Sequence, residues 1–304
     1  MRHIWKPESD EKMAASKVEQ VECPTPNGVL VIIGGAESKS ADHEDIANRE
    51  AFGIQMEVLE SFVKLTGSKK PAIEVITSAG SEDPGGAFKK YKEAFTKLGA
   101  KTINHIHHDA REEIIFEELE PRLKQADAIF LSGGDQLKLT SIYGGTDFIM
   151  LLKKRYIDDK LIIAGTSAGA MALSTPMIYH GVGRDEMIAG NVKITTGLEF
   201  LKDVCIDTHF VYRGRFVRMA QVIATNPASI GIGIEEDTAL VVRNGTEAEV
   251  IGCGVVIIIN GQQCSGNNIT HFSKQQPISI RGLQVHVLSR GEKYFIPQTN
   301  PPHK

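Results

Sequence analysis

Leu161-Ile-Ile-Ala-Gly165-Thr166-Ser167-Ala168-Gly169-Ala170-Met171 is the stretch whose residue types and spacing point most directly to chemistry. A β-branched run enters Gly-x-Ser-x-Gly and leaves into alanine-rich, helix-forming sequence. That is the setting in which a serine is held on a sharp strand-to-helix turn as a nucleophile. Small neighbours let strand and helix approach closely, and the free N–H groups at the helix start suit an oxygen that becomes negative during attack on a carbonyl. A serine needs a base, and the base needs a group to hold its tautomer. Of the 10 histidines, His209 stands apart: Asp207-Thr208-His209 closes the apolar run Val204-Cys205-Ile206 and is followed by Arg213, Arg215 and Arg218. On a helix Arg215 and Arg218 share one face, and guanidinium forks beside a base suit a substrate bearing carboxylates.

The third member of the relay has two sources. Glu235, Glu236 and Asp237 close the run Gly231–Ile234, and Asp185 and Glu186 lie between the serine and the histidine. Triads occur in several chain orders, so order does not choose between them. Ala128–Leu131 runs into Ser132-Gly133-Gly134-Asp135-Gln136. The Gly134 N–H is the expected second oxyanion donor beside that of Ala168, with Gln136 pointing at substrate. Ile33-Gly34-Gly35-Ala36-Glu37-Ser38-Lys39 has a similar shape but fits neither GxGxxG nor GxxxxGK[ST], so no nucleotide cofactor is expected. His105, His107, His108 and Asp109 gather at a strand end without further acidic or sulfur partners at ligand spacing, and no metal is expected.

These residues require a scaffold, and the hydrophobic pattern supplies one. Strand-like runs at Val29–Ile33, Ala72–Ile76, Thr102–Ile106, Ala128–Leu131 and Leu161–Ala164 alternate with helical patterns. The helical patterns lie at about 46–65, 88–98, 113–125 and up to about 155. Such alternation predicts an α/β fold, a doubly wound, mostly parallel sheet with ligands at the carboxyl ends of its strands. After about Asp237 the pattern changes to Ala239–Val242, Glu249–Ile259 and Ile278–Leu288, separated by Asn-Gly turns, which predicts an antiparallel β-rich extension. The expected organisation is a poorly ordered arm over 1–27, a single domain over 28–291 (core 28–237, extension 238–291) and a tail over 292–304.

Composition is that of a globular enzyme: 41% hydrophobic and 24% charged residues with net charge −4. That charge gives no electrostatic case for nucleic acid or an anionic membrane. The N-terminal stretch has no apolar run after its basic start, and Val255–Ile259 is far too short to span a bilayer. Cys23, Cys205, Cys253 and Cys264 are widely spaced, as expected of a reducing compartment. A cytoplasmic protein is expected.

Taken together, IIGGAE, LSGGDQ, GTSAGA, DTHFVYRGRFVR and GIGIEEDTALVV, in this order from about Val29 to Val242, resemble the cyanophycinase family. The resemblance implies a flavodoxin-like sheet related to class I glutamine amidotransferases and to dipeptidase E. It implies a homodimer without cofactor or metal, and hydrolysis of cyanophycin, a poly-aspartate bearing arginine on its side-chain carboxyls, to β-Asp-Arg dipeptides. It further implies Ser167 as nucleophile, His209 as base and Glu236 as triad acid, with substrate contacts from Gln136, Asp207, Arg213, Arg215 and Arg218. Asp207 or a neighbouring acid would take the substrate guanidinium. Where the family commonly has glutamine between the Asp and the His, this chain has Thr208. Alternative readings are a dipeptidase for short α-aspartyl peptides and a binding protein that kept the elbow as a structural turn.

Overall fold

Short β-branched runs form parallel strands β1 (Val29–Ile33), β2 (Ala72–Ile76), β3 (Thr102–Ile106), β4 (Ala128–Leu131) and β5 (Ile162–Thr166), in the order β1-β5-β4-β2-β3. Alternate residues of β1 serve opposite faces: Leu30 and Ile32 pack into one hydrophobic core, Val31 and Ile33 into another. Helices α1 (Glu57–Leu65), α2 (Pro84–Lys97), α3 (Phe116–Gln125), α4 (Gln136–Tyr143) and α5 (Asp147–Asp158) cover the strands. The starts of three helices are written in the sequence. Asp83, Asp135 and Thr146 accept N–H groups of the first turns of α2, α4 and α5, and Pro84 opens α2 where its missing N–H is harmless. The helical stretch expected up to about Arg155 is two helices, broken at Gly144-Gly145.

The computed structural model describes residues 24–39, 56–80, 82–271 and 275–297. Most of the expected N-terminal arm, the first half of the helix expected from residue 46 and the end of the tail lie outside the described residues.

The C-terminal strands divide between two sheets. β12 (Thr238–Arg243), β13 (Glu247–Gly252) and β18 (Lys293–Phe295) extend the main sheet antiparallel to β1, giving β18-β13-β12-β1-β5-β4-β2-β3. β17 (Gln284–Leu288), β14 (Val256–Asn260), β11 (Ile230–Ile234), β10 (Val204–Thr208), β6 (Ser174–Thr175) and β9 (Leu201–Lys202) form the second sheet in that order. β10 and β11 are parallel, joined through helix α7 (Phe216–Thr225). Two expectations change accordingly. Glu249–Ile259, read as one run, is β13 and β14 in different sheets, turned at Gly252. There φ is +97°, and a Cβ would meet the Asp237 carbonyl oxygen at 2.3 Å. Lys293–Phe295, read as tail, is an edge strand, because its backbone completes the ladder of β13. Ile232, Ile234, Val256 and Ile258 of the second sheet share a core with Leu30 and Ile32 of the first.

Candidate active site

The carboxyl ends of β1, β4, β5, β10 and β11 converge on one spot. At the end of β5 the chain turns sharply into the short helix α6 (Ala168–Ala172), with Ser167 at φ 51°, ψ −115°, a region L-residues rarely occupy. Close packing explains the flanking glycines: a Cβ at Gly165 would meet the Gly169 carbonyl oxygen at 2.4 Å, and one at Gly169 would meet that of Leu131 at 2.3 Å.

Ser167 Oγ lies 3.0 Å from His209 Nε2, and His209 Nδ1 lies 2.6 Å from Glu236 Oε1. A carboxylate only accepts, so Nδ1–H donates to Glu236 and Nε2 is left to accept the serine hydroxyl. The other acidic pair sits elsewhere. Asp185 meets His180 Nε2 at 3.3 Å and the Asn191 amide at 3.0 Å. Glu186 lies near Arg218, Asp207 and Arg215; partial burial raises its pKa, with Arg218 opposing.

The segment after β1 gathers the relay. Consecutive carbonyls of Ile33, Gly34 and Gly35 accept the N–H groups of Ser167 (3.1 Å), His209 (2.9 Å) and Asp237 (2.9 Å). Gly35, at φ +99°, lies against the imidazole, where a Cβ would come within 2.4 Å of His209 Nε2. The glycine pair that resembles a phosphate loop is therefore a seat for the histidine. The Asp237 carboxylate accepts the Ser38 N–H at 2.9 Å and the Ser38 hydroxyl at 3.0 Å, fixing the corner beside Glu236.

Gly133 and Gly134 close in from β4. A Cβ on Gly133 would lie 3.2 Å from that of Ser167, and Gly134, at φ +141°, packs on the Ala79 carbonyl. The N–H of Ala168, first residue of α6, has no acceptor within its own helix. Ser167, Gly134, Gln136 and Ala168 border a pocket of about 150 Å³ whose far side carries Arg213, Arg215, Arg218, Tyr179 and His180. Gln136 Nε2 donates to the Ile178 carbonyl at 2.7 Å, which ties the pocket floor to β7 (Met177–His180).

Asp207 requires a correction. It is 0% exposed, and its oxygens accept from Arg215 Nη1 at 3.0 Å and from Arg218 Nε and Nη2 at 2.6 and 2.5 Å. Asp207 is thus fully buried with both oxygens bonded to arginines, and it is not among the residues that border the pocket. Arg218 is itself buried and donates to the Gly181 carbonyl at 3.0 Å. One turn on, Gln221 bonds Glu186 O, Ile188 O and Gly190 N, so α7 clamps the 181–190 wall of the pocket. Thr208 is also fully buried, and its hydroxyl has no partner among the described residues.

The histidines at the carboxyl end of β3 are held by hydroxyls. Thr77 Oγ1 lies 2.7 Å from His105 Nε2 and 3.0 Å from His107 Nδ1, while the Tyr143 hydroxyl joins Ser78 and His108 at 2.8 Å each. Burial lowers the pKa of both His105 and His108. Among the described residues no group of three or more His, Cys, Asp or Glu side chains could hold a metal ion.

Sequence reasoning missed Tyr179, His180 and Gln221, which carry no local signature. It also left Glu37 without a role, although a carboxylate two residues after a Gly-Gly strand exit was a usable signal. Glu37 is 3% exposed and accepts from the hydroxyl of Thr166, the residue before the nucleophile, at 2.5 Å.

Residues 47–250 match the family described as peptidase family S51. A protein named cyanophycinase from Synechococcus elongatus is 32% identical over 277 residues, 91% of this chain and 82% of that protein. One of the same name from Nostoc sp. is 29% identical over 289 residues, 94% of this chain and 92% of that protein. The crystal structure of a peptidase from an acI-B1 actinobacterium shares the fold, with a TM-score of 0.62 at 22% identity over 90% of this chain and 98% of that chain. The chain belongs to peptidase family S51. It is a serine-type peptidase, a hydrolase.

Proposed function

We propose that this peptidase hydrolyses cyanophycin and releases β-Asp-Arg dipeptides through an acyl-enzyme. The observation that carries the reading is the Ser167–His209–Glu236 relay, at 3.0 and 2.6 Å, bordering a pocket lined by Arg213, Arg215 and Arg218. Relatives bearing the name cyanophycinase along more than nine-tenths of the chain support the substrate. Each substrate unit offers carboxylates, to which the guanidinium groups of Arg213 and Arg215 donate paired hydrogen bonds.

In this mechanism Ser167 Oγ attacks the backbone carbonyl carbon while His209 Nε2 takes the hydroxyl proton. The carbonyl oxygen becomes an oxyanion and takes the N–H groups of Ala168 and Gly134. Collapse breaks the C–N bond, and the imidazolium gives its proton to the leaving amine. Glu236 stabilises that imidazolium and holds its tautomer. Water, deprotonated by His209, then attacks the ester, and Ser167 leaves with the proton returned to it. The reading includes a homodimer acting in the cytoplasm, without a metal or cofactor; light scattering of the purified protein tests the dimer.

The function is tested by incubating the enzyme with purified cyanophycin and identifying the products by mass spectrometry, with α-Asp-X dipeptides as a parallel substrate. β-Asp-Arg is the expected product, and Ser167→Ala should lower turnover by several powers of ten. Cleavage of the dipeptides with cyanophycin untouched replaces the substrate by short aspartyl peptides. A Ser167→Ala enzyme retaining about a tenth of the activity overturns the serine mechanism.

A further inference from the structure

Glu37 is a buried carboxylate that the mechanism above does not use. Its Oε2 accepts the Thr166 hydroxyl at 2.5 Å, and its Oε1 accepts the Tyr91 hydroxyl of α2 at 2.7 Å and pairs with Lys39 at 3.1 Å. Thr166 and Tyr91 are themselves buried, so this cluster joins the segment after β1, the last residue of β5 and helix α2 out of water. Replacing such a buried polar cluster as a whole by apolar side chains of the same volume is often neutral or stabilising. Stability alone therefore gives no account of the carboxylate.

The geometry of the elbow does. Ser167 is held at positive φ, a conformation that persists only where its surroundings over-determine it. Two contacts hold the entry to that turn: the Ser167 N–H to the Ile33 carbonyl at 3.1 Å, and the Thr166 hydroxyl to Glu37. Both acceptors lie on the segment whose next two carbonyls seat His209 and Asp237. We infer that Glu37 is a positioning residue for the nucleophile. Through Thr166 it locks the strained elbow to the same segment that seats the base, and so sets the 3.0 Å separation of Ser167 Oγ and His209 Nε2. The inference rests on the serine mechanism proposed above.

The test is the second-order rate at which a fluorophosphonate labels Ser167, measured with kcat, KM and thermal stability for Glu37→Met, Glu37→Gln and Thr166→Val. Labelling needs no natural substrate, which separates this inference from the choice of cyanophycin. Glu37→Met leaves the buried Thr166 and Tyr91 hydroxyls without their acceptor and should lower Tm, so all rates are measured well below it on protein shown to be folded. The labelling rate and kcat of Glu37→Met should both fall by about tenfold to a hundredfold with KM nearly unchanged, because a displaced nucleophile loses reactivity and not binding. Thr166→Val should fall by the same factor, and the double variant by little more than either single one, since both break one bond. Glu37→Gln keeps an acceptor for Thr166 and should recover to within about threefold of wild type. Wild-type protein that labels, with Glu37→Met and Thr166→Val labelling within about twofold of it, overturns this inference alone. Wild-type protein that resists labelling overturns the serine mechanism and this inference together.

Discussion

Asp207→Asn distinguishes a buried anchor from a substrate contact. The carboxylate faces two guanidinium groups through three bonds, at 3.0, 2.6 and 2.5 Å, with no exposure to water. Asparagine keeps one oxygen but removes the negative charge, and leaves Arg215 and the buried Arg218 without the carboxylate that both of them bond. Removing one partner of a buried pair costs about 3–5 kcal/mol, because the remaining charge stays desolvated. At about 2–3 °C per kcal/mol for a domain of this size, Tm should fall by roughly 6–15 °C. Arg215 and Arg218 both border the pocket, so loosening them should also weaken substrate binding. Loss of one charge-assisted contact, about 1.5–3 kcal/mol, corresponds to a rise in KM of about ten- to a hundredfold. Calorimetry and steady-state kinetics on soluble cyanophycin measure the two effects. A variant with wild-type Tm and a raised KM would falsify the anchor role and return Asp207 to direct contact with the substrate.

Glu236→Gln should lower kcat by about three to four powers of ten, as expected when a triad loses the carboxylate that holds its tautomer. Asp185→Asn, which loosens the contacts with His180 and Asn191 away from the relay, should change kcat far less; the opposite order of the two variants refutes the relay. Gly35→Ala places a methyl group where the imidazole sits, on a backbone at φ +99°, and should abolish turnover while leaving a folded protein by circular dichroism. Unchanged activity would mean that His209 moves freely. Burial, opposed by Glu113 and reinforced by His107, holds the His108 imidazole below its ordinary pKa. The unfolded chain then binds that proton more readily, so stability from this site is present above about pH 6.5 and is lost as the pH falls through the lower folded value. His108→Asn should flatten the fall of Tm between about pH 7 and pH 5, and an unaltered slope assigns the acid sensitivity elsewhere.

Much of the scaffold was legible because its causes are local. The apolar runs at Val29–Ile33 and Ala128–Leu131 are strands buried on both faces, and that burial is what leaves them unbroken by polar residues. Gly165 and Gly169 announce the elbow because only glycine allows β5 and α6 to approach so closely. Ser167 and His209 announce themselves by ending apolar runs at strand exits. The boundary at Gly252-Cys253-Gly254 was not legible: both sides are β-branched, and which sheet each strand joins depends on partners far away in the chain.

Composition and spacing by themselves determined the α/β alternation, the strand-to-helix turn at Ser167 and a cluster of arginines beside a histidine. Tertiary structure alone decided which carboxylate lies against the imidazole, since Glu236 follows His209 by 27 residues and reaches it only because β10 and β11 are parallel neighbours. It likewise decided that Asp207 faces the arginines and not the pocket, and that Glu37 meets Thr166 across 129 residues of chain. Sequence periodicity reports the side of an element that is buried. Distance between side chains on different elements is set by sheet order and register, which arise from backbone pairing over the whole molecule.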